Sequence, residues 1–103
     1  MRIIQILSEH IEEELSDAKE YAELACQYKD EFPQLAKTLY DLSNEEMRHL
    51  EMLHLEVTAL IKKHREEHGE PPPAMMAVYE YLHKKAIEKT TKVKLIQAQY
   101  RES

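Results

Sequence analysis

Glycine is almost missing from this chain, with Gly69 the single instance in 103 residues. Few turn residues and few β-branched runs leave little from which to build sheets, so an all-α fold is expected. Cys26 is the only cysteine, which excludes an internal disulfide and a cysteine-built zinc site. No stretch approaches the roughly 20 apolar residues that a membrane span needs. The opening Met1-Arg2-Ile3-Ile4-Gln5-Ile6-Leu7 is too short an apolar run for a signal peptide and leads directly into acidic residues. A soluble protein that is cytoplasmic or within an intracellular compartment, and not secreted, is the resulting expectation. Excess positive charge is lacking too: the net charge of −6 disfavours nucleic acid as a partner and suits a protein that binds cations. There is no internal repeat and no low-complexity tract beyond three consecutive prolines.

What the chain does have is 43% hydrophobic and 33% charged residues in one small domain. A lone chain of this length buries only a modest core, so packing against a second copy would help it. The charge is unevenly spread. Residues 1–73 hold 8 basic and 17 acidic side chains, net −9, whereas residues 74–103 hold 6 and 3, net +3. The C-terminal segment is therefore suited to lie on the acidic part of its own or a neighbouring chain.

Helical apolar spacing runs without proline or glycine from residue 2 to residue 29. Asp30-Glu31-Phe32-Pro33 stops that helix, and the proline suits the first turn of a second one, which runs to about His68. Gly69-Glu70-Pro71-Pro72-Pro73 reads as a glycine cap and a stiff spacer. A third helix over about 74–101 carries Met75, Tyr79, Leu82, Ala86, Val93, Ile96 and Tyr100 on one face, interrupted by Lys89. The organisation is a helical hairpin over 1–68, a Gly/Pro linker over 69–73 and a C-terminal helix over 74–103.

Two stripes of the hairpin contain residues that do not belong in a core. The second helix reads Leu35, Leu39, Leu42, Glu46, His49, Leu53, Glu56, Leu60, flanked by Ala36, Leu50, Val57 and Ile61. Glu46 and His49, three apart, are neighbours on one face, and this spacing predicts that the face is the buried one. The first helix reads Ile4, Leu7, Ile11, Glu14, Ala18, Tyr21, Ala25, Tyr28, with Glu14 as the exception. A buried carboxylate without a partner costs several kcal/mol, and a metal ion is an economical way to neutralise it.

Antiparallel packing about a turn near residue 31 puts residues whose numbers sum to about 62 at one height. Glu14 with Glu46 gives 60, and Glu14 with His49 gives 63, so the interruptions of both stripes share a level. Helix 3 repeats the Glu-x-x-His spacing at Glu80 and His83, but folding back near residue 71 places Glu80 opposite Lys62, about 24 Å along the bundle from Glu46. At the level of Glu46 it offers Val93, Ile96 and Gln97. One chain thus supplies Glu14, Glu46 and His49.

This is half of the constellation that holds two metal ions in four-helix carboxylate proteins: a Glu from each of two helices and Glu-x-x-His from each of the other two. A twofold axis would supply the other half. Glu14 followed by Tyr21 resembles the first-helix motif of the ferritin-like superfamily, and Glu45-Glu46-Met47-Arg48-His49 resembles its second-helix motif. The likeness covers about residues 4–65 and is closest to the rubrerythrin type and to the short encapsulated ferritins that build their site between subunits. The resemblance implies a half-bundle completed by dimerisation, two iron ions per dimer site with manganese or zinc as alternatives, and ferroxidase activity toward Fe(II) with O₂ or peroxide. It further implies Glu14 as a terminal or bridging ligand, Glu46 as a bridging ligand and His49 as a terminal nitrogen ligand, with Tyr21 hydrogen-bonding a ligand. This chain departs from the family's four-helix form in carrying one ligand set, and its third helix has no counterpart there; no cargo-type tail points to a shell.

Plainer readings stand beside these. The three polar residues also fit a structural hydrogen-bonded group in a non-enzymatic helical adaptor whose hairpin self-associates. Tyr21 also fits plain packing. Glu56 suits a solvated edge, His64 and His68 a solvated helix end, and Met47, Met52, Met75 and Met76 gap-filling core. His10, His54 and His83 are given no role.

Overall fold

The computed structural model describes residues 2–103, which form three helices and, among the described residues, no strand: α1 (Arg2–Tyr28), α2 (Pro33–His68) and α3 (Pro73–Glu102). The molecule is a rod of 55 × 18 × 18 Å. Its length is that of α2 alone, since 36 residues at 1.5 Å each span about 54 Å.

The breaks lie where the chain chemistry puts them. Phe32 is out of the helical region (φ −133°, ψ 73°) ahead of Pro33, which occupies the first turn of α2. Gly69 takes φ +78°, and its N–H donates to the Arg65 carbonyl at 3.0 Å, closing the last turn of α2. A Cβ there would meet nothing within 4 Å, so only the backbone angle demands glycine.

α1 and α2 pack antiparallel. Their seam near the turn is built from small residues, with Ala18, Ala22, Ala25, Ala36 and Ser43 wholly buried, which lets the two backbones approach closely. Toward the open end the core is made of larger side chains, Ile4, Ile11, Leu15, Leu50, Val57 and Ile61, joined by Val93 of α3. α3 runs parallel to α1 and packs chiefly on it. Lys89 Nζ donates to Glu12 Oε1 at 2.8 Å, and the Cys26 thiol donates to the Ile96 carbonyl. Lys89, out of place on an apolar face, is therefore paired, and the basic helix lies on its own chain's acidic hairpin. At its C-terminal end Lys29 caps α3 by donating to the carbonyls of Tyr100 and Ser103, while Tyr100 stacks on Tyr40 at 4.6 Å.

One expectation is corrected. The second-helix stripe is not the buried face within the chain: Leu35 is 50% exposed, Leu42 38%, and His49 is exposed as well. The buried line is Ala36, Ser43, Leu50, Val57 and Ile61, part of a turn further round. Alanine and serine carry little hydrophobic weight, yet their small size decides which faces of two helices can meet. Met52, expected in the core, is 61% exposed.

A candidate metal centre on the uncovered face of the hairpin

Glu14 projects from the middle of α1, Glu46 and His49 from the facing turn of α2. Each offers one ligand atom, and the three atoms lie within 4.8 Å of one another. His49 Nδ1 stands 3.6 Å from Glu14 Oε2, beyond hydrogen-bond range. Glu14 Oε2 is buried and has no hydrogen-bond partner, the one such side-chain atom among the described residues. Leaving an acceptor in that state costs about 1–3 kcal/mol, more when it is charged. The donor set, two carboxylates and an imidazole, suits Fe(II), Mn(II) or Zn(II), and a cation placed among the three would satisfy the orphaned oxygen.

The surroundings set the cluster apart from the rest of the core. Glu14, His49, Met52, Leu53 and Glu56 line one open depression, to which α3 contributes nothing. α3 lies elsewhere on the hairpin, chiefly on α1, and meets α2 where Tyr40, Ser43 and His54 face Tyr100, Gln97 and His83. Around the cluster the hairpin presents a strip with heptad spacing: Leu7, Tyr21 and Tyr28 from α1, half-buried, and Leu35, Leu39, Leu42, Leu53 and Leu60 from α2. Glu14, Glu46 and His49 sit in the middle of this largely apolar strip.

Other sequence candidates fall elsewhere. Tyr21 is half-buried seven residues, about 10 Å, along α1 from Glu14 and makes no hydrogen bond to the three. Glu56 is exposed, at the edge of the same depression. Glu80 lies well up α3, and His83 stacks between Tyr79 and His54 (ring centroids 5.8 and 5.0 Å). His64 and His68 approach at 5.2 Å at the end of α2.

Sequence reasoning missed a buried polar relay beside the cluster. Ser43 Oγ donates to the Ala18 carbonyl at 2.7 Å, and Gln97 Nε2 donates to Ser43 Oγ at 2.9 Å. Both side chains are buried, Ser43 completely. The available signal was Ser43 in the heptad line of Ala36, Leu50 and Val57, with Gln97 at the same height on α3.

Comparison with family models, curated proteins and solved structures gave no match. Among the described residues, no helix is long and apolar enough to cross a membrane.

Proposed function

We propose that this protein is a ferritin-like half-bundle that binds metal through Glu14, Glu46 and His49, completes a di-iron carboxylate site by pairing with a second copy, and acts as a ferroxidase. The observation that carries the reading is the orphaned, buried Glu14 Oε2 in a convergent Glu/Glu/His group, set in the part of the hairpin that α3 leaves uncovered. Three ligands are too few to hold two bridged ions. Two hairpins placed face to face about a twofold axis bring six, and the same apposition buries Leu35 and Leu42, which a lone chain leaves exposed.

In this scheme iron is the substrate. Two Fe(II) ions give up one electron each, and the pair reduces O₂ with two protons to hydrogen peroxide, or hydrogen peroxide with two protons to water. The chain's own residues hold the ions: the carboxylates compensate positive charge as it rises on oxidation, and His49 supplies a neutral nitrogen. The apolar strip excludes water from the seam around them.

The exposed apolar strip also favours a second reading, a non-enzymatic helical protein that self-associates through the same face. Anaerobic titration of the purified protein with Fe(II), followed by addition of O₂ and optical detection of Fe(III), separates the two. About two ions per dimer and oxidation faster than in buffer support the ferroxidase. A chain that dimerises yet ignores Fe(II) is the adaptor.

A further inference from the structure

We infer that Gln97 of α3, acting through Ser43, is a positioning residue for the Glu14/Glu46/His49 cluster, an inference that rests on the metal-binding reading above. The relay joins three helices at one point: Gln97 Nε2 donates to Ser43 Oγ at 2.9 Å, and Ser43 Oγ donates to the Ala18 carbonyl at 2.7 Å. Ser43 is three residues before Glu46 on α2, and Ala18 is one turn after Glu14 on α1. The bond between them therefore fixes the height of α1 against α2 about one turn from Glu14 and Glu46 and within two turns of His49.

On the turn side of the ligands the seam offers few steric stops, the larger core side chains from Leu15 and Leu50 onward lying toward the open end. Ala18, Ala22, Ala25 and Ala36 are wholly buried and nearly featureless. An alanine surface gives a sliding helix few steric stops, whereas a buried donor has one well-formed partner and loses it when the helices slide by part of a turn. Gln97 makes the choice firmer. It orients the Ser43 hydroxyl by using it as acceptor, so that the hydroxyl proton points to the Ala18 carbonyl and not back into its own helix. A helix that packs chiefly on α1 thus reaches the α1–α2 seam next to the metal ligands through two hydrogen bonds. Groups hydrogen-bonded directly to metal ligands typically contribute tenfold to a hundredfold in affinity, and the relay, one step removed from the ligands, is expected at the lower end of that range.

The test is Mn(II) affinity by calorimetry and the Mn(II) magnetic-resonance line shape, measured on Gln97→Met and Ser43→Ala beside the unsubstituted protein. Met keeps the volume of Gln97 without its amide, and Ala keeps the helix at position 43. Val57→Ala serves as the control. It truncates a buried side chain about two turns beyond His49 and lowers thermal stability without touching the relay. Both relay variants are expected to bind Mn(II) at least tenfold more weakly and with an altered line shape, at a temperature where circular dichroism shows them folded; the control loses stability but keeps affinity. Relay variants that match the unsubstituted protein in affinity and line shape, or a control that loses as much affinity as they do, overturn the inference while leaving the metal-binding reading in place. If the unsubstituted protein itself binds no Mn(II) or Fe(II), both fall. Should Gln97→Met fail to fold, Ser43→Ala decides by the same criterion.

Discussion

At the scale of the residue, the informative atoms are those that cost stability in the free chain. Glu14 Oε2 is buried without a hydrogen-bond partner, His49 Nδ1 standing off at 3.6 Å, so replacing Glu14 with a residue that needs no partner removes a penalty. Glu14→Leu is expected to raise the thermal midpoint of metal-free protein, or leave it unchanged, while abolishing tight metal binding; a clear loss of stability would mean that the carboxylate has a structural role. His49→Ala and Glu46→Ala are expected to lose metal binding by calorimetry with helix content intact by circular dichroism. Unchanged stoichiometry in either would remove that residue from the site. Glu12 is a different kind of carboxylate. The hydrogen bond from Lys89 and its charge hold the Glu12 carboxyl below the usual range. A depressed acid stabilises the fold above its unfolded-state pKa, and that contribution is lost as pH falls through the lower folded-state value. Both side chains remain more than a third exposed, so solvent screening limits the effect to about half a kcal/mol. Urea unfolding of the unsubstituted protein and of Lys89→Met at pH 7 and at pH 3 should show the gap between them closing in acid, and a gap that persists would assign the loss to the lysine's packing.

At the scale of the element, α2 sets the length of the molecule and Gly69 ends it. The φ of +78° there is costly for a residue with a Cβ, so Gly69→Ala is expected to lower stability by about 1 kcal/mol, read as a shift in the urea midpoint. No shift would mean that the linker relaxes at no cost. The helices and their breaks were legible in the sequence because Pro33, Gly69 and the prolines after it act locally, on their own backbone. The common height of Glu14, Glu46 and His49 was legible too, since it needs only the turn position and the rise per residue. The buried face of α2 was not. Leucine spacing pointed to Leu35 and Leu42, whereas Ala36 and Ser43 take the seam because helices in close contact need small side chains. Nor did the sequence indicate which side of the hairpin α3 covers. That depends on pairs such as Lys89 with Glu12 and Gln97 with Ser43, which join residues more than 50 positions apart.

At the scale of the whole molecule, the three-helix rod leaves one strip of the hairpin apolar and open, with two carboxylates and an imidazole at its centre. In the proposed dimer two such strips meet, which gathers four carboxylates in a seam of low dielectric. Without metal they repel one another and weaken the contact; with metal their charge is compensated, and the interface tightens by the free energy with which the ions bind the dimer alone. Metal and assembly are then linked, so each must promote the other. The most direct measurement is sedimentation velocity at protein concentrations near the dimer dissociation constant, with and without Mn(II), or Fe(II) under anaerobic conditions. The account predicts that metal moves the boundary from the lighter toward the heavier species, that a chelator reverses the shift, and that the Glu14→Ala, His49→Ala double variant does not respond. A sedimentation profile that is the same with and without metal in the unsubstituted protein would contradict it.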